Sequence, residues 1–141
     1  MSDKCFVDTN ILVYAHDRLA GSKRERAAML TAKLWNDAAG VISTQVLQEF
    51  CYTVRHKLPQ PLSLQDTFSV IQQYLAWHVV VNASTAVLEA MRMEAQYKLS
   101  FWDALILQAA RQGGARILYT EDFSHDQLYG DIRAVNPFLD L

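Results

Sequence analysis

Cys5-Phe6-Val7-Asp8-Thr9-Asn10-Ile11-Leu12 runs from three apolar residues through an acid into a new apolar pattern. The apolar run is too short and too rich in β-formers for a helix, so residues 4–8 read as a buried strand. A short helix from Asn10 to about His16 follows, and Asp8 is a good N-cap for it. A carboxylate after a first strand also lies where open α/β sheets bind ligands, in the crevice beyond the strand ends. The pattern recurs at Arg116-Ile117-Leu118-Tyr119-Thr120, which leads into Glu121-Asp122. If the two strands are neighbours in a parallel sheet, their acids converge on one point.

Between these strands the chain alternates. Ser22 is placed as the N-cap of a helix carrying Ala27, Leu30, Leu34, Trp35 and Ala38 and stopping at Gly40. Val41-Ile42-Ser43 is a brief strand. Thr44 to about Lys57 is a helix with Val46, Leu47, Phe50, Cys51 and Val54 on one side. It ends before Pro59 and Pro61, which mark a loop. Ser63 caps a helix containing Phe68, Ile71 and Leu75, and Trp77 to Val81 is a third strand. Ser84 opens a helix through Val87, Met91 and Ala95, and Ser100 to Gln112 is another, closed by Gly113-Gly114. Residues 116–120 and 132–135 supply the remaining strands, the last ended by Asn136-Pro137. The alternation predicts a three-layer α/β/α sandwich around a parallel sheet of four to five strands with right-handed crossovers. No linker or repeat interrupts it, so residues 1–141 are expected to form a single domain.

Composition narrows the function. A chain of 141 residues, 51% hydrophobic and 20% charged, can bury a sizeable core and is not disordered or fibrous. A net charge of −2 carries no global nucleic-acid signature, so RNA or DNA binding needs a local patch or a bridging metal. Neither a membrane span nor a signal peptide is recognisable, and a cytoplasmic protein with no membrane partner is expected. Cys5 and Cys51 read as buried free thiols, and the histidines lack zinc-ligand spacing.

Two further acids stand out less. Asp103, in Ser100-Phe101-Trp102-Asp103, makes a capping box with Ser100 and suits the helix dipole, and a first-turn carboxylate can also point into the crevice. Glu49 falls far from the centre of its helix's apolar face, so periodicity puts it on a flank or in solvent.

Four segments together resemble the PIN-domain ribonucleases, most closely the VapC-type toxins of bacterial toxin–antitoxin pairs. They are FVDTNILVYAHD (6–17), VISTQVLQEFCYTV (41–54), LSFWDALILQAA (99–110) and ILYTEDFSHDQ (117–127), with Val135-Asn136-Pro137-Phe138 at the end. The resemblance implies a metal-dependent endoribonuclease whose catalytic acids are Asp8, Glu49, Asp103 and Asp122. Asp8, Asp103 and Asp122 are the expected ligands of Mg²⁺ or Mn²⁺, and Glu49 holds a water or takes its proton. Asn10, Thr120 and Glu121 are supporting residues, with Glu121 or Asp126 able to assist Asp122. Family likeness further implies an RNA substrate such as transfer RNA, products with 5′-phosphate ends, a VapB-type antitoxin partner and a homodimer.

The basic cluster Lys23, Arg24 and Arg26 is a candidate for binding substrate phosphates, with a solvated helix terminus as the competing reading. Arg55-His56-Lys57 reads as favourable charge at a helix C-terminus. Tyr14 and Trp102 are candidates for stacking on a base, or for the core. Two other classes remain: a phosphoryl-transfer enzyme with Asp8 as nucleophile, and a non-catalytic RNA- or protein-binding module. The first usually wants a second aspartate two residues on, where Asn10 stands. The second is opposed by the intact acid quartet.

Overall fold

A computed structural model describes residues 3–141. In chain order the elements are β1 (Cys5–Val7), α1 (Thr9–His16), α2 (Ser22–Asn36), β2 (Gly40–Ser43), α3 (Thr44–His56) and α4 (Leu64–Tyr74). They continue as β3 (His78–Val80), α5 (Ala86–Tyr97), α6 (Phe101–Gln112), β4 (Ile117–Tyr119), β5 (Leu128–Tyr129) and β6 (Ile132–Val135). The sheet is six-stranded in the order β3-β2-β1-β4-β6-β5, and every pairing is parallel except β5 with β6.

From β1 the chain steps outward through β2 to β3, then crosses back and lays β4 on the other side of β1. Right-handed crossovers place helices on opposite faces when the direction of travel reverses. Accordingly α1 packs on α2 and α3, and α3 on α4, while α5 packs on α6 as a separate pair. This is the expected mixed α/β sandwich. The reversal between β1 and β4 is a topological switch point, where such sheets open a crevice beyond their strand ends.

Phe6, Val7, Ile11, Leu12, Val41, Ile42, Val46, Phe50, Val54 and Leu118 are fully buried and join the two layers into one core. At the start of β2, Gly40 lies flat against the Trp77 ring, and a Cβ there would overlap it. Gly40→Ala should therefore cost about 1–3 kcal/mol through overpacking, seen as a lower urea midpoint with unchanged m.

The structure differs from the sequence reading in local ways. A sixth strand, β5, joins β6 through a two-residue turn at Gly130-Asp131, with Gly130 at φ 62. The N-cap of α2 is Gly21, not Ser22, and the helix ends at Asn36, with Ala38 at φ 51 turning the chain into β2. In α4 the buried residues are Thr67 and Tyr74, while Phe68 and Leu75 face solvent. In α5 they are Ala86, Ala90 and Met93, with Val87 and Met91 outside. Cys51 is half-buried, while Cys5 is buried, and both are free. Among the described residues no helix is long and apolar enough to cross a membrane.

Candidate active site

Strand register builds the site. Cys5, Phe6 and Val7 pair with Ile117, Leu118 and Tyr119, which brings Asp8 and Thr120 side by side as both strands end. Asp8 N donates to Tyr119 O (3.0 Å), so the pairing runs one residue beyond β1. Asp8 caps α1 by accepting from Thr9 N at 2.7 Å, and its other carboxylate oxygen accepts from the Thr120 hydroxyl at 2.8 Å. The same Thr120 oxygen accepts from Asp122 N at 3.1 Å. One threonine thus ties the acid after β1 to the acid after β4. Asn10 completes the tie, donating from Nδ2 to Asp122 Oδ2 at 3.0 Å.

Asp103 enters from α6, where Ser100 caps the helix by accepting from Asp103 N at 3.1 Å. Its two expected uses coexist: the backbone N–H is capped and the side chain faces the cleft. Glu49 enters from α3, where Ser43 caps the helix end that follows β2. Its carboxylate accepts from the Thr9 hydroxyl at 2.7 Å, which fixes it on the cleft side of the flank that periodicity assigned. Asp8, Glu49, Asp103 and Asp122 all line one cavity of about 670 Å³.

Burial dominates the electrostatics. Asp8 is 4% exposed. Desolvation pushes its carboxyl up to about 7, against the Thr120 and Thr9 hydrogen bonds that lower it, and the charges of Asp122 and Asp103 add to the rise. Burial also raises the Asp103 carboxyl, with Asp122 contributing and the Ser100 hydroxyl opposing. The acids thus strain against one another, which a bound cation would relieve. Among the described residues no three acid, histidine or cysteine side chains form a ready-made chelating group. The donor chemistry still suits a hard ion that takes one or two carboxylates directly and keeps its waters.

Other sequence candidates lie elsewhere. Glu121 turns away from the cavity: Tyr14 OH donates to its Oε1 at 2.6 Å and Lys23 Nζ pairs with its Oε2 at 3.0 Å. Lys23 also stands over the Tyr14 ring at 4.7 Å. Arg26 donates to Pro137 O and to both Asp140 oxygens. Arg24 lies at a surface hollow with Arg18, Gly21 and Glu25. Asp126 sits at φ 64 beside His125, not at the cavity. His125 Nδ1 accepts from Asn136 N, and His16 packs on Phe50 and Tyr74. Tyr14 lines the cavity, but its ring packs edge-on against Phe138. The sequence reading missed Thr9, which only tertiary contact pairs with Glu49, and Tyr52, which lines the cavity one helical turn beyond Glu49.

Lys23→Met tests the cluster around Glu121. The exposed pair should cost no more than about 1 kcal/mol of stability. Because Lys23 binds the protein's own loop next to Asp122, the RNA cleavage that the family resemblance implies should fall several-fold in kcat with KM little changed. A pure KM effect would instead mark Lys23 as a phosphate contact.

The profile of the PIN domain family matches residues 5–131. The chain belongs to the PIN domain family. Sequence comparison with curated proteins gave no match. Among solved structures, the PIN-like fold here is similar to VapC20 of Mycobacterium tuberculosis, described as a sarcin-ricin loop cleaving toxin. The TM-score is 0.64 at 17% identity, over 84% of this chain and 90% of that one. The DNA-bound VapBC of Salmonella typhimurium matches with TM-score 0.63 at 18% identity, over 94% and 97% of the two chains. A toxin–antitoxin complex from Klebsiella pneumoniae matches with TM-score 0.65 at 21% identity, over 96% and 98%. At such identities the likeness speaks for the fold, and the PIN profile for the family.

Proposed function

We propose that this PIN domain, spanning residues 1–141, is a metal-dependent endoribonuclease and the toxin of a toxin–antitoxin pair. The carrying observation is the convergence of four carboxylates from four separate elements on one cavity at the sheet's switch point. A divalent ion bound there, Mg²⁺ or Mn²⁺, would supply Lewis acidity and lower the pKa of a water so that its deprotonated form can attack a phosphodiester. Asp8, with Asp103 or Asp122, would hold it. Thr120 and Thr9 N–H keep the Asp8 oxygens turned toward the cleft, and Asn10 does the same for Asp122. Glu49, oriented by Thr9, takes the proton from the attacking water.

RNA meets few free cations in this reading. Lys23 and Arg26 already pair with Glu121 and Asp140, which leaves Arg24 as the cluster member without an ion pair among the described residues. The likeness to toxin–antitoxin complexes supports an antitoxin partner, and a homodimer is the accompanying proposal. The test is incubation of total RNA with the purified protein in Mg²⁺, Mn²⁺ or EDTA, followed by mapping of new ends. Cleavage with either metal, leaving 5′-phosphates and abolished by EDTA, is expected. Undiminished cleavage in EDTA would reject the metal, and RNA bound but uncut in Mn²⁺ would favour a binding module.

A further inference from the structure

The cavity is larger and more apolar than four acids, an ion and one phosphate require. Val13, Tyr52, Leu58, Trp102 and Ile106 line it alongside the carboxylates. Two of these are broad rings held open to solvent: Tyr52 is 56% exposed and Trp102 is 64% exposed. Each stands next to a proposed catalytic acid. Tyr52 is three residues beyond Glu49 on α3, so the two share a helix face. Trp102 immediately precedes Asp103 in the first turn of α6.

Both rings are supported from behind. Phe101 packs edge-on to Trp102 at 5.3 Å, and Gln45, itself buried, donates to the Trp102 carbonyl at 3.3 Å. His56 lies against Tyr52 at 4.8 Å, and Lys57 Nζ stands 6.0 Å from the same ring. The face of α3 thus runs from an acid at Glu49 through an aromatic ring to cations at its C-terminal end. That order matches a nucleic-acid strand, with a phosphate at the acids, a base on the ring and the next phosphate near Lys57.

The geometry points to Tyr52 and Trp102 as a base-stacking subsite that takes unpaired nucleotides flanking the scissile phosphate, with Lys57 meeting the neighbouring phosphate. This rests on the nuclease reading above. Every base has a π-face, so such rings select for an accessible face more than for a sequence. Paired bases have their faces covered by neighbours, and the subsite therefore admits single strands and excludes helices.

The test measures kcat/KM with Mg²⁺ on a short unstructured RNA oligonucleotide and on a version with abasic positions beside the cleaved bond. Wild type should prefer the intact oligonucleotide by about tenfold or more. Tyr52→Leu and Trp102→Leu should each lose about tenfold on the intact substrate. The double variant should no longer distinguish the two substrates, and Tyr52→Phe, which keeps the ring, should retain the preference for the intact oligonucleotide that Tyr52→Leu loses. Thermal melts with and without Mg²⁺ accompany each variant. Wild-type cleavage matched by both leucine variants would overturn the subsite while leaving the nuclease reading intact. Loss of the Mg²⁺-induced melt shift in those variants would make the rings structural supports of the acids, and would also overturn it. A changed oligomeric state with unaltered cleavage would make Trp102 a contact between copies and do the same. No cleavage of any RNA by wild type would remove both readings together.

Discussion

Asp8→Asn should abolish RNA cleavage, by about a thousandfold or more, while making the metal-free protein more stable. Both effects follow from its position. Asp8 is the most buried of the four acids and is tied to the end of β4 through Tyr119 and Thr120, so its charge is the one a cation most needs. Losing several kcal/mol of charge stabilisation at the reacting phosphate corresponds to that rate loss. The amide is nearly isosteric. Its oxygen can still accept from Thr9 N, and its NH₂ can donate to the Thr120 oxygen that already accepts from Asp122 N. What disappears is a buried charge whose carboxyl is pushed up to about 7 by desolvation. In EDTA at pH 8 the variant should therefore melt higher than wild type, and added Mg²⁺ should shift it far less. An equal or lower melting temperature in EDTA would show that the Asp8 charge is not a liability in the folded protein.

The second large effect is a pH dependence of stability with an unusual sign. The Asp8 carboxyl titrates near 7 in the folded chain and near 4 in an unfolded one. Between those values the folded state holds the proton more tightly, so stability of the metal-free protein falls as pH rises. The loss begins near pH 4, is complete just above pH 7 and is on the order of 4 kcal/mol. Asp103, raised in the same direction, adds to it. A divalent ion binds the ionised acids, so the gap between melts in Mg²⁺ and in EDTA should widen from pH 5 to pH 8. Urea melts across this range, with Asp8→Asn expected to keep only the smaller slope contributed by Asp103, measure the effect directly. A wild-type curve that rises with pH in EDTA would contradict it.

The site's framework was readable where chemistry is local. Asp8 follows a strand and caps a helix, and Asp103 follows Ser100, so each position announces itself in a few residues. Glu49 was different. Periodicity placed it off the apolar face, and only the Thr9 hydroxyl, forty positions earlier in the chain, shows which way the flank points. Family resemblance supplied Glu49 where helix geometry had no means to. The helices illustrate the same limit. In α4 and α5 the large apolar residues Phe68, Leu75, Val87 and Met91 face out, while Thr67, Ala86 and Ala90 pack inward. Hydropathy cannot tell which of two faces meets the neighbour when small residues allow the closer approach. Strand β5 is two residues long, below the reach of any period, although Gly130-Asp131 is a fair turn signal. Lys23 looked like a surface cation because its partner, Glu121, comes from the far end of the chain.

The most direct test is anomalous scattering from crystals of the purified protein soaked in Mn²⁺, since four acids around a divalent ion are the core of the proposed mechanism. The expected result is density in the cleft, with oxygens of Asp8 and of Asp103 or Asp122 at roughly 2.0–2.2 Å and water filling the remaining positions. Manganese bound only outside the cleft, in protein that still cleaves RNA, would contradict the proposed site.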